Sequence, residues 1–110
     1  PLPNDWDLPG GGREGDEAPV QTVARELLEE LGVALDPSKI IYHSADKAAS
    51  NPNLLVHFFV ARWDDLGDNT IVLGDEGQRW CWMPVSEFLS RKDAVASLRE
   101  RLSRAITLID

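Results

Sequence analysis

Glu26, Glu29 and Glu30 lie close together in the chain, with Arg25 directly before them. On an α-helix each residue turns by 100°. With Val20 as origin, Arg25 falls at about 140°, Glu29 at about 180°, Glu26 at about 240° and Glu30 at about 280°. The three carboxylates therefore share one arc of about 100°, opposite an apolar stripe. Neighbours at i,i+3 and i,i+4 meet on a helix surface, so these acids repel one another. Within the helix only Arg25 is near enough to relieve them. A hard divalent cation bound through carboxylate oxygens would relieve them better, and Mg²⁺ shared with the phosphates of a ligand is the common arrangement. The duller reading of the same pattern is a solvated helix face.

A glycine run, Gly10-Gly11-Gly12, precedes this stretch, with Glu17 between the two. Without a Cβ, backbone can come close to a ligand or a side chain there. The helix itself is legible from Pro19 to Leu31. Val20, Val23, Ala24, Leu27, Leu28 and Leu31 recur at helical spacing. Pro19 suits the first turn and Gly32 the left-handed position after the last. Ala18 has no side chain that caps, so Asp16 or Glu17 is expected to cover the first free N–H groups.

Taken together, Gly11, Glu17, Arg25-Glu26-Leu27, Glu29-Glu30 and Gly32-Val33 resemble the Nudix box at every constrained position: Gly, five residues, Glu, seven residues, Arg-Glu-aliphatic, one residue, Glu-Glu, one residue, Gly-aliphatic. A chance match in so short a chain is on the order of 1 in 10⁷. The lead-in Trp6-Asp7-Leu8-Pro9-Gly10 is similar to the family's as well.

The resemblance implies an α/β (α+β) Nudix fold, a mixed β-sheet sandwiched between helices. It further implies Mg²⁺ or Mn²⁺ held by Glu26, Glu29, Glu30 and the Gly11 carbonyl, with Arg25 orienting the glutamates and Glu17 supporting them. Glu26 doubles as candidate general base. The implied activity is hydrolysis of a phosphoanhydride bond in a nucleoside diphosphate linked to another group. Nucleoside triphosphates, oxidised deoxynucleotides, dinucleoside polyphosphates, ADP-ribose and sugar nucleotides all belong to that class. The alternative is a non-catalytic nucleotide-binding or regulatory Nudix domain; those usually lose box glutamates, and none is lost here.

Family members usually carry one or two strands before the lead-in. This sequence starts almost at it, so a single domain over residues 1–110, N-terminally incomplete, is expected. An incomplete sheet leaves an unprotected edge, which invites pairing, and a homodimer is one outcome of that.

The net charge of the 110 residues is −8. Residues 11–33 hold −4 of it and residues 64–90 a further −5, offset elsewhere. Such acidity argues against non-specific binding to nucleic acid or to an anionic membrane surface. A small phosphorylated nucleotide, reached through bound cations, is the compatible partner. The second acidic stretch, Gly74-Asp75-Glu76-Gly77-Gln78-Arg79-Trp80, resembles a late Nudix loop in which an acid approaches the metals. Glu76 is the candidate there, as a further ligand or base, and Arg79 and Trp6 are candidates for contacting substrate. A single cysteine, Cys81, excludes an intrachain disulfide and fits a reduced, cytoplasmic setting.

Other elements must position this chemistry. Strands are expected at 39–45 and 54–63, the second apolar enough to be buried on both faces. Two more are expected at 70–73 and 78–84. Ser86 is placed to cap a short helix. Asp93 is placed to cap a longer one with Val95, Leu98, Leu102, Ala105, Ile106 and Ile109 on its apolar face. The tryptophans are expected as core or edge residues rather than base-stacking platforms, and His57 and Cys81 in the core, His57 with its ring nitrogens satisfied.

Overall fold

A computed structural model describes residues 5–48, 51–75 and 79–109. Helix α1 spans Pro19–Leu31, α2 Val85–Ser90 and α3 Ala96–Ile109; strands β1 and β2 span Ile40–Lys47 and Leu55–Ala61. Short 3₁₀ turns occupy Pro37–Lys39 and Asp68–Thr70. The class is α+β. No described helix is long and apolar enough to cross a membrane.

The sheet holds the two strands antiparallel, with His43 opposite Phe59 and Ala45 opposite His57. Its register shifts once, between Ile40 and Tyr42. Side chains alternate across such a pair. Tyr42, Ser44 and Asp46 therefore share a face with Phe58. That face meets α3, whose Arg101 and Arg104 both reach the Asp46 carboxylate. The opposite face shows His43 and His57, which share a 2.8 Å hydrogen bond, and Phe59, stacked on His43. Far from both strands in sequence, Trp6 makes a parallel bridge to Ala94.

The buried core is small: Val33, Phe58, Phe88, Ala94 and Ala105. In β2 only Phe58 is buried. The apolar run at 54–63 is thus half-exposed, with Leu54 and Leu55 open to solvent, rather than buried on both faces. Cys81, expected inside, is exposed, and Trp82 beside it gives its indole N–H to Asp68.

Among the described residues the two later strands are not formed. Val72 N–H donates to the Leu31 carbonyl and Gly74 N–H to the Glu30 carbonyl, each at 2.8 Å. The Ile71 N–H closes on the Asp68 carbonyl at 3.2 Å, so three of the backbone donors of residues 71–75 are spent on contacts outside a ladder. Residues 79–84 likewise belong to no strand.

Helix starts also differ from expectation. Pro84, not Ser86, takes the cap position of α2. The Asp93 carboxylate pairs with Arg91 at 2.7 Å, and α3 begins only after Val95, whose carbonyl accepts from Leu98 and Arg99. At α1, Gln21 rather than Asp16 or Glu17 folds back, accepting the Ala18 N–H at 2.7 Å.

Candidate active site

Helix α1 forms where the sequence places it, and its ends explain why. Pro19 occupies the first turn, where a missing N–H costs nothing. Gly32 adopts φ 67°, ψ 18° and donates to the Leu28 carbonyl, closing the helix in the left-handed turn that glycine tolerates best.

The glycine run packs against the polar face of α1 through a separate contact at each position. Gly10 N–H donates to Glu30 Oε2 at 2.8 Å. The Gly12 carbonyl accepts from Arg25 Nη2 at 2.8 Å. Between them Gly11 lies so near Glu26 that a Cβ there would stand 2.4 Å from the carboxyl carbon. Only glycine lets the turn and the carboxylate approach this closely.

Arg25 is the hub. Its Nε donates to Glu17 Oε2 at 2.8 Å, its Nη1 to Glu26 at 2.8 Å and to Glu29 at 3.2 Å. The planar guanidinium serves these acceptors and the Gly12 carbonyl together, which a lysine ammonium does not. Arg25, Glu17 and Glu26 are 19%, 20% and 16% exposed, against 58% for Glu29. Glu30 lies on the far side of the acidic arc, beyond the guanidinium's reach, and takes the Gly10 amide instead. Thr22, the one buried polar residue among those described, adds a 3.1 Å hydrogen bond to Glu17.

Electrostatics separate the acids. The Arg25 hydrogen bonds hold the Glu17 carboxyl at a pKa of about 2, helped by the Glu14 amide and the Thr22 hydroxyl. Arg25 itself is pushed up, chiefly by Glu17. Burial pushes the Glu30 carboxyl up, and the like charges of Glu26, Asp7 and Glu29 add to it, against the opposing Gly10 amide. Glu17 thus stays ionised beside its cation, while Glu30 is an acid short of positive charge.

Trp6, Gly10, Gly11, Gly12, Glu26, Glu29, Glu30, Asp75 and Arg79 are among the residues that line one large open cleft, which also reaches β2 and α3; Arg25 and Glu17 do not line it. Arg79 lies over the Trp6 ring at 4.8 Å from its centre, so the two expected substrate residues meet each other. Glu76 falls outside the described residues. Among the described residues no three acidic, histidine or cysteine side chains converge closely enough to share a metal as they stand. Arg25 draws Glu26 and Glu29, and Gly10 draws Glu30. The donor chemistry nonetheless fits a hard divalent cation. It is all oxygen, Glu30 is partly buried among the like charges of Glu26, Asp7 and Glu29, and the missing Cβ at Gly11 leaves its backbone against Glu26.

Sequence reasoning missed two contributors. Thr22 reads as a helix residue on the boundary of the apolar stripe. Gly74, which reads as a blemish in a strand, sits where a Cβ would stand 2.3 Å from the Glu29 carbonyl oxygen.

No curated protein matches the chain significantly. The family model described as the NUDIX domain matches residues 1–105. That match spans the glycine turn, the Arg25 hub and the glutamates of the cleft, and the chain belongs to the Nudix family.

Proposed function

We propose that this chain is a Mg²⁺- or Mn²⁺-dependent hydrolase that cleaves a phosphoanhydride bond in a nucleoside diphosphate joined to another group. The observation that carries the proposal is the Arg25 hub. One guanidinium fixes Glu17, Glu26, Glu29 and the Gly12 carbonyl, so the glycine turn and the acidic helix face are held as a unit. Glu26, Glu29, Glu30 and the Gly11 carbonyl would hold the metal. When bound, it polarises a phosphoryl oxygen and lowers the pKa of the attacking water.

The chain's own residues do the rest. Glu26 accepts the proton of that water as general base. Glu29, the most exposed of the three acids, is held by Arg25 at 3.2 Å and would exchange that contact for the metal. Arg25 and Glu17 keep the glutamates oriented from behind, as outer partners of metal ligands do. Arg79 faces the phosphates, with Trp6 beneath it. Glu76 is proposed as the additional acid of the later loop.

A panel of nucleoside triphosphates, dinucleoside polyphosphates, ADP-ribose and sugar nucleotides, followed by phosphorus NMR, tests this. The expected result is a new phosphomonoester signal that needs Mg²⁺ and stops with a chelator. Saturable nucleotide binding without product, at every member of the panel, would make the chain a binding module instead.

A further inference from the structure

The last turn of a helix leaves backbone carbonyls without partners, and these need donors from elsewhere. In α1 two of them, on Glu30 and Leu31, receive the N–H groups of Gly74 and Val72 at 2.8 Å each. Both donors are more than forty residues away in sequence. The segment lies so tightly on the helix that a Cβ on Gly74 would stand 2.3 Å from the Glu29 carbonyl oxygen and 3.5 Å from the Glu30 Cα. Gly32 is in contact from the other side, where a Cβ would stand 3.0 Å from the Val72 Cβ.

This contact differs in kind from the one at Gly11. There the obstacle is the far end of a flexible side chain; here it is helix backbone, which cannot rotate away. The Gly74 φ is not in the left-handed region. Its requirement for glycine is therefore the close approach and not an unusual backbone angle.

The residues touched are the ones that carry the candidate chemistry. Glu29 and Glu30 supply two of the cleft carboxylates, and the residue after Gly74 is Asp75, which lines the same cleft. From this geometry we infer that Gly74 is a positioning residue for the hydrolysis: it docks Val72–Asp75 on the backbone of Glu29–Leu31 and sets where Asp75 stands relative to the box glutamates. The inference rests on the hydrolase reading of the cleft. An alanine there needs about 1 Å of separation to reach ordinary contact distance. A misplacement of that size costs on the order of 10²-fold in rate.

The test compares the full chain with Gly74→Ala in three measurements. Amide exchange followed by NMR reads the dock itself, because hydrogen-bonded amides exchange slowly. Mn²⁺ affinity, from electron paramagnetic resonance of free ion, reads the carboxylates without any substrate. Steady-state kinetics with Mg²⁺ read the reaction. The expected result is slow exchange at Val72 and Gly74 in the wild type and fast exchange at Val72 in the variant. Mn²⁺ should bind roughly tenfold more weakly, as when an outer partner of a ligand is lost. In the variant kcat should drop about 100-fold with KM little changed.

Wild-type kcat and Mn²⁺ affinity in a folded Gly74→Ala chain would overturn the inference. If that variant does not fold, the wild type decides: exchange at Val72 and Gly74 as fast as in an open loop overturns it, and slow exchange at both supports it. If the wild type hydrolyses nothing, the hydrolase reading has failed, and the exchange and Mn²⁺ measurements still judge Gly74 separately.

Discussion

Replacing Gly11 with alanine puts a methyl group where the Glu26 carboxylate lies. The new Cβ would stand 2.4 Å from the carboxyl carbon and 2.6 Å from each oxygen, against ordinary contacts of 3.4–4 Å. The carboxylate must retreat by about 1 Å. Its tether is the 2.8 Å hydrogen bond from Arg25 Nη1, and retreat loosens that bond. Because the obstacle is a flexible chain end, the fold accommodates the change. A reacting group misplaced by about 1 Å costs on the order of 10²-fold in rate, so kcat should fall about that far with the melting temperature nearly unchanged.

Gly10→Ala and Gly12→Ala serve as comparisons. Neither new Cβ meets anything within 4 Å, and neither glycine has positive φ. Both should stay within about threefold of wild type, the kinetic equivalent of the roughly 0.5 kcal/mol typical of neutral surface changes. The assay is steady-state phosphate release with Mg²⁺ across the three variants. Equal activity in all three would refute the idea that the Gly11 approach positions Glu26.

Two further outcomes follow from the hub. Arg25→Lys should lower activity by roughly 10–100-fold, the range for losing a partner that orients a metal ligand, because one ammonium cannot serve Glu17, Glu26 and the Gly12 carbonyl at once; steady-state kinetics check it. Glu17 should titrate at a pKa of about 2 when its carboxyl carbon is followed by NMR, well below its ordinary 4.5. Its folded pKa is depressed, so the stability it contributes is complete above about pH 4.5 and is lost as pH falls toward 2. A midpoint near 4.5 would mean that the Arg25–Glu17 contact does not persist in solution.

The parts of the structure legible in the sequence are those whose causes are local. Helical spacing from Val20 to Leu31, Pro19 at the start and Gly32 at the end fix α1 without reference to anything distant. The same periodicity places Arg25 beside Glu29 and Glu26 and away from Glu30, which is how their hydrogen bonds divide. The apolar runs of β1 and β2 were equally readable.

Where distant groups decide, local signals mislead. The apolar stretch at 70–73 has strand character, but its Thr70 and Ile71 N–H groups close a local turn and its Val72 N–H goes to the end of α1. Asp93 has the composition of a helix cap, but Arg91, two residues back, claims its carboxylate. Cys81 lies between two tryptophans, yet nothing in that spacing states that the segment runs along the surface. The role of Gly74 depends on a helix more than forty residues earlier, and no local pattern encodes it.

The central claim is that the box glutamates carry metal-dependent hydrolysis. It is tested most directly by the Mg²⁺-dependent kcat of Glu29→Gln and Glu30→Gln beside wild type, on whichever nucleotide the panel shows to be cleaved. The expected result is a loss above about 100-fold in each, beyond the range for merely outer partners, with the fold intact. Full activity in either variant would contradict the account.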